Sequence, residues 1–163
     1  MLGLVFCLLV RLLPFRAPNV EPILATQMPY AKAYGASVGF LFGFLSIVSY
    51  DVITHTLGIW TLFTASTYGT LGLCAAYFFR TRKASVSNFI AFSILGTLFF
   101  DLMTGLSIGP IFFHQSFYNA FFGQIPFTAL HLTGNVAFSL ILSPAIYVLV
   151  GEKKNLKFNF ASV

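Results

Sequence analysis

The sequence predicts an all-α integral membrane protein built as a compact bundle of about six transmembrane helices. Of its 163 residues, 58% are hydrophobic and only 8% are charged, whereas an ordinary soluble domain carries roughly 25% charged residues. Several apolar runs reach the length of about 20 residues that a helix needs to cross a bilayer, and none alternates like a β-barrel strand. These features exclude a soluble globular domain and predict one membrane domain, 1–151, followed by a basic cytoplasmic tail, 152–163.

Six helical segments are expected in order, at about Leu2–Leu13, Pro22–Ala31, Tyr34–Ile53, Ile59–Phe79, Val86–Gly105 and Gln124–Val150. The first is interpreted as a retained helix, because it has neither a basic n-region nor a small-residue cleavage site. The second is too short to span a bilayer fully, so other protein must cover it. The sixth is long enough to tilt, and Pro144 is expected to kink it.

The distribution of basic residues predicts the orientation. With the C-terminus in the cytoplasm, seven of the nine Lys and Arg residues lie inside, and only Arg11 and Arg16 lie outside. Such a bias toward the cytoplasm is the usual one for membrane proteins. The expected location is therefore a cell membrane, with several crossings.

A weak internal repeat relates the third and fifth helices. Tyr50–Thr54 resembles Phe100–Thr104 fifty residues later. The same offset aligns Phe42 with Phe92. We therefore expect two copies of one hairpin running in the same direction, as in parallel-repeat transporters.

Two carboxylates lie near the ends of apolar helices. Asp51 and Asp101 are each followed by a threonine after one turn, and Thr97, Asp101 and Thr104 share one face. A charge in a membrane usually faces the bundle interior or a wet cavity. The alternative is that these aspartates cap helix ends at the membrane surface.

A polar stripe runs along one side of the sixth helix, through Gln124, Thr128, His131, Asn135 and Ser139. Lipid would not accept it, so it must face protein, water or ligand. Ligand contact is favoured for His131 and Asn135. Interhelical hydrogen bonding, typically worth ~1 kcal/mol or less per contact, is the alternative and is favoured for Thr128 and Ser139.

The segment Ile111–Asn119 mixes aromatic side chains with hydrogen-bonding ones. It suits a lid over a small ring-bearing ligand, although an aromatic belt at the membrane surface explains the phenylalanines equally well. Trp60 fits an interface anchor better than a ligand contact. Glycine and alanine ridges on the third and fourth helices predict close helix packing.

Catalytic signatures are missing from the sequence. It contains no Walker A, HExxH or GxSxG motif, so we expect no catalytic residues, no cofactor and no ATP hydrolysis. His55, His114 and His131 are a weak metal signal, because no two of them are four residues apart on a helix. Cys7 and Cys74 are expected to be buried free thiols.

Five segments carry a resemblance to a known family: Arg11–Pro14, Pro18–Ile23, Tyr50–Thr54, Gly58–Thr61 and His131–Asn135. Together with six helices in under 200 residues and no ATPase, they resemble the substrate-binding S components of energy-coupling-factor transporters, over about Arg11 to Tyr147. The resemblance implies that a vitamin-like micronutrient binds at the outer end. It also implies a partner complex of one coupling membrane protein and two cytoplasmic ATPases. Family members often dock through alanines spaced by four on the first helix, where this chain has only Gly3 and Cys7.

The sequence therefore predicts a membrane-embedded substrate-binding subunit. Because Glu21, Asp51 and Asp101 make the expected site acidic, an amine-bearing ligand is predicted. A non-transporting membrane scaffold and a small membrane enzyme or metal-cation permease are the alternatives. The candidate substrate-binding residues are Asn19, Glu21, Asp51, Trp60, Asp101, Thr104, His114, Gln115, Asn119, Gln124, His131 and Asn135.

Overall fold

A computed structural model of the chain describes residues 2–15 and 20–152. Within them, every regular element is an α-helix. The helices are α1 (Leu2–Arg11), α2 (Ile23–Tyr34), α3 (Ala36–Ile53), α4 (Ile59–Thr81), α5 (Val86–Gly105), α6 (Ile108–Phe113) and α7 (Phe117–Glu152). The predicted all-α fold is confirmed. The basic tail from Lys153 onward lies outside the described residues.

Three stretches are long and apolar enough to cross a membrane: Ala36–Ile53, Val86–Phe113 and Phe117–Gly151. Six membrane crossings were expected, and helix length and composition support three of them. Helix α4 has 23 residues, but hydroxyl-bearing residues and glycines fill its middle and lower its hydropathy. Helices α1 and α2 have 10 and 12 residues, and at 1.5 Å per residue neither spans ~30 Å of hydrocarbon.

Helix α2 is the buried centre of the bundle. Its residues from Ile23 to Met28 are at most 1% exposed, and it packs against α3, α4, α5 and α7. These neighbouring helices shield α2 from lipid, as was predicted for a helix too short to span the bilayer. The Ser143 hydroxyl of α7 donates to the Ala25 carbonyl at 2.7 Å, which ties α2 to the last helix.

The basic loops meet at one end of the bundle. The Lys32 ammonium at the end of α2 donates to the carbonyls of Phe79 and Arg82, at the end of α4. The Phe89 ring near the start of α5 contacts both Phe79 and Tyr147. The ends of α2, α4 and α7 and the start of α5 therefore share this end. We call it the basic end.

The opposite end is aromatic. The Trp60 ring at the start of α4 lies 6.0 Å from the Phe113 ring of α6, and the Phe63 ring lies 6.4 Å from that of Phe112. Residues 106–123 were expected to form a loop, but α6 and the first turns of α7 occupy much of this stretch. The Ser116 hydroxyl accepts the Asn119 backbone N–H at 3.2 Å and so caps α7.

Cys74 corrects one expectation. Cys7 is buried as predicted, whereas Cys74 is exposed on α4. An apolar run does not distinguish the face that packs inside the bundle from the face that looks outward, because both are apolar in a membrane helix.

Candidate functional site

A buried polar seam joins α5 and α7. The Nδ1 atom of His131 lies 2.7 Å from Oδ1 of Asp101. One turn nearer the basic end, Nδ2 of Asn135 donates to Oγ1 of Thr97 at 2.8 Å. All four residues are at most 2% exposed. The seam is therefore enclosed by protein rather than open at the end of the bundle.

The spacing along each helix produces this seam. Thr97 and Asp101 are four residues apart on α5, and His131 and Asn135 are four apart on α7, so each pair lies on one face. The helices run in opposite directions, which places Asp101 opposite His131 and Thr97 opposite Asn135. Asp101 and His131, both candidate substrate-binding residues from the sequence, are therefore in contact.

Ser93 and Ser139 continue the same pattern by one more turn on α5 and α7. Both are fully buried, and Ser93 was not among the residues predicted from the sequence. A search for polar residues at four-residue spacing upstream of Thr97 would have found it. Asp101–His131, Thr97–Asn135 and Ser93–Ser139 thus form three successive levels, about 6 Å apart along the helix axes.

Several polar atoms of the seam have no hydrogen-bond partner within the described part of the chain. They are Asp101 Oδ2, His131 Nε2, Asn135 Oδ1, Ser93 Oγ and Ser139 Oγ. A buried polar atom left unsatisfied typically costs about 1–3 kcal/mol, and native proteins keep few of them. The seam can therefore accept further partners, either water or polar groups of a ligand.

Aromatic rings connect the seam to a second buried polar cluster. The Phe100 ring packs with its edge on His131 at 5.5 Å and lies 4.4 Å from the Tyr68 ring. The Tyr68 hydroxyl donates to Glu21 Oε1 at 2.9 Å. Phe100 is thus an apolar wall between the Asp101–His131 pair and Glu21.

Arg11, which the sequence assigned to the outer side, ends α1 and points into the bundle. Its Nε atom lies 2.8 Å from Glu21 Oε2, and its NH1 donates to the Ser46 carbonyl at 2.9 Å. Its guanidinium also sits 4.0 Å from the centre of the Tyr50 ring. Arg11 and Tyr68 thus already contact the two oxygens of the Glu21 carboxylate. The role of Glu21 as a ligand contact stays a prediction.

A pocket of about 310 Å³ borders the seam between α5 and α7. Asp101, Gln124 and Thr128 contribute its polar lining, and leucines, an isoleucine and a phenylalanine contribute the rest. The Gln124 side-chain amide donates to the Thr128 hydroxyl at 3.2 Å. The size lies at the lower end of the roughly 300–1,000 Å³ typical of ligand pockets.

Asp51 belongs to the other hairpin. Its Oδ2 accepts the Thr61 hydroxyl at 2.6 Å, and Thr61 Oγ1 accepts the Gly58 backbone N–H at 3.1 Å. The carboxylate therefore joins the end of α3 to the start of α4. This arrangement agrees with the alternative that Asp51 is a helix-end residue.

The remaining predicted residues lie nearer the aromatic end. The Thr104 hydroxyl donates to its own helix at Phe100, and the Trp60 indole donates to the Thr56 carbonyl. His114, Gln115 and Asn119 are exposed. No contact brings these three to the seam within the described residues, and Asn19 lies outside them.

Across residues 2–15 and 20–152, no group of three or more His, Cys, Asp or Glu side chains is arranged to hold a metal ion. No protein-family model, no curated protein and no solved structure matches this chain.

Proposed function

We propose that the chain is the membrane-embedded substrate-binding subunit of an energy-coupling-factor type uptake transporter, and that it captures a small amine-bearing solute at the α5–α7 seam. One observation carries the proposal. A buried carboxylate–imidazole pair, Asp101 and His131, keeps a spare polar atom on each partner, and Asp101 lines a pocket between α5 and α7.

The chemistry of the pair favours a ligand that donates hydrogen bonds. His131 Nδ1 lies 2.7 Å from Oδ1 of Asp101, which leaves Oδ2 of the carboxylate as a free acceptor. Charge-assisted hydrogen bonds are roughly twice as strong as neutral ones. An ammonium or a protonated ring nitrogen therefore complements Oδ2, whereas a carboxylate would be repelled.

We also propose that the basic end faces the cytoplasm of a multi-pass cell-membrane protein. The contacts of Lys32 with the Phe79 and Arg82 carbonyls support a common side for Lys32 and the α4–α5 loop. Cysteines placed at Arg82 and, separately, at Gln115 test this orientation in intact cells. An impermeant maleimide should label only the second, and labelling at position 82 would reverse the orientation.

The proposed partners are a coupling membrane protein and cytoplasmic ATPases. The small residues of α1 do not offer them a free surface. Cys7 is 1% exposed, and a side chain at Gly3 would collide with Tyr30. Coexpression with candidate coupling subunits should make solute uptake dependent on ATP.

Ligand binding at Asp101 can be tested directly. Native mass spectrometry of the purified chain should detect a co-purified amine, and Asp101→Asn should reduce its occupancy by roughly tenfold or more, since a charge-assisted contact is lost. Asp51→Asn is the matched control, because Asp51 bonds only to the α4 side of its own hairpin in the contacts seen here. Equal occupancy in the parent and Asp101→Asn would contradict the proposal.

A membrane scaffold is the second candidate function. It is favoured by the hydrogen bonds that already connect Asp101 to His131 and Thr97 to Asn135, since a scaffold needs only such interhelical contacts. For a scaffold, Asp101→Asn should change stability without changing the occupancy of any small molecule.

A further inference from the structure

Below the pocket beside Asp101, toward the basic end, a second pocket of about 540 Å³ is lined by the same two helices. We call the line of these two pockets the lateral groove. Ile94, Leu98 and Leu102 repeat every four residues on α5, and on α7 Leu132 and Val136 belong to the lower pocket. The two pockets therefore lie on one side of the helix pair and follow one line toward the basic end.

The rim of this groove faces outward. Leu98 is 46% exposed, Leu102 is 58% exposed and Ile125 is 54% exposed. Helices α5 and α7 are both long and apolar enough to cross a membrane. When these helices cross a membrane, their exposed leucines contact acyl chains. A ligand can then enter the groove from within the bilayer.

Polarity changes along the groove. The upper part contains Asp101, Gln124 and Thr128, which all carry oxygen acceptors, and the lining includes no Lys or Arg. The lower part contains a single polar residue, Thr133, whose hydroxyl already donates a hydrogen bond to the Ala129 carbonyl. A charged acceptor thus sits at one end and an apolar surface extends from it for about 12 Å, the rise of eight residues.

We propose that the ligand is a single-chain cationic amphiphile that enters from the membrane, with its amine at Asp101 and its alkyl tail along the lateral groove. This inference rests on the proposed solute-binding function and names its ligand class. Asp101 is 2% exposed with Oδ2 unpaired, so it supplies the charge complementary to an amine. The exposed leucines and Val136 supply the surface for the tail.

Photo-crosslinking in phosphatidylcholine nanodiscs tests the geometry. The probe is dodecylamine with a diazirine at the far end of the chain, and plain dodecylamine is the competitor. Crosslinks mapped by mass spectrometry should concentrate on Ile94 and on residues 132–137, and the competitor should remove them. Asp101→Asn should lower this competed labelling by roughly tenfold or more, while Asp51→Asn should leave it unchanged.

Two further probes separate the possible failures. A dodecanoic acid probe with the same diazirine should give no competed labelling, because its head group carries the wrong charge. Competed, Asp101-dependent labelling by a short diazirine amine, with none by the long one, would overturn the amphiphile and leave the proposed solute site standing. Labelling spread over all exposed helix faces and insensitive to competitor would overturn the inference. If labelling by every amine probe is the same in the parent and in Asp101→Asn, both the amphiphile inference and the proposed solute site are overturned.

Discussion

The α3–α4 hairpin and the α5–α7 helix pair are held together by different means. In α3 and α4, glycines bring the backbones into contact, because a side chain at Gly72 would collide with the Gly39 carbonyl. The Gln27 amide then donates to the carbonyls of Gly39 and Tyr68, both at 2.8 Å. In α5 and α7, polar side chains bridge the helices and leave spare atoms.

The difference teaches where ligand binding is possible. Small residues let helices approach until no space remains, so the first hairpin has a purely structural interface. Polar pairs keep helices apart and supply hydrogen-bonding groups. Asp101 therefore borders a pocket, whereas the Asp51 carboxylate accepts the Thr61 hydroxyl at the start of α4.

The largest expected effect comes from the Arg11–Glu21 ion pair, which ties the end of α1 to the segment before α2. Glu21→Gln should destabilise the fold by ~3–5 kcal/mol, because it leaves Arg11 buried without its countercharge. Unfolding in mixed micelles by titration with sodium dodecyl sulfate measures this. The double variant Arg11→Met with Glu21→Leu should recover part of the loss. A loss in Glu21→Gln no greater than in the exposed-site control Arg80→Gln would mean that the pair does not hold α1.

The next effect should distinguish the two hairpins directly. Gly72→Ala should lower the free energy of unfolding by ~1–3 kcal/mol or more, because the new methyl group collides with backbone atoms of α3. Gly96→Ala on α5 is the matched change, because its methyl group meets only the ends of flexible side chains, the nearest being Leu24 Cδ2 at 3.2 Å. It should remain within ~1 kcal/mol of the parent, helped by the higher helix propensity of alanine. Similar losses in both variants would remove the contrast.

The smallest effects should come from the seam itself. Thr97→Val should cost ~1 kcal/mol or less, the usual value of an interhelical hydrogen bond in a membrane. Ser139→Ala should be neutral or slightly stabilising, because its hydroxyl is buried without a partner. The same micelle titration applies to both. A loss of more than ~1 kcal/mol in Ser139→Ala would indicate that a bound water or ligand already satisfies this hydroxyl.

Much of the helix pattern was predictable because long apolar runs dominate this sequence. Val86–Gly105 was expected and is found, and α4 begins at Ile59 as expected. The start of α7 was missed by seven residues, at Phe117 instead of Gln124. The aromatic and polar mixture of Phe117–Gly123 resembled a lid, and only the Ser116 cap reveals that a helix begins there.

The site was only partly predictable. Periodicity placed His131 and Asn135 on one face of a helix, and Asp101 on one face of another. It could not identify which faces meet, because that depends on which helices are neighbours. The burial of Arg11 was not foreseen for the same reason. Counting charges in loops assigns a base to a side of the membrane, but the partner that lets it enter the bundle, Glu21, is known only in three dimensions.

The burial of α2 has a consequence for the order of assembly. A ribosome completes α2 early, yet the carbonyl of Ala25 is paired with Ser143, 118 residues later. Contacts of such wide sequence separation form late in folding. Until α7 is synthesised and docks, one side of α2 lacks its cover. The nascent chain must therefore hold a short, incompletely spanning helix in a temporary location, which makes insertion factors and chaperones of membrane proteins more important for this chain than for a simple row of independent spans.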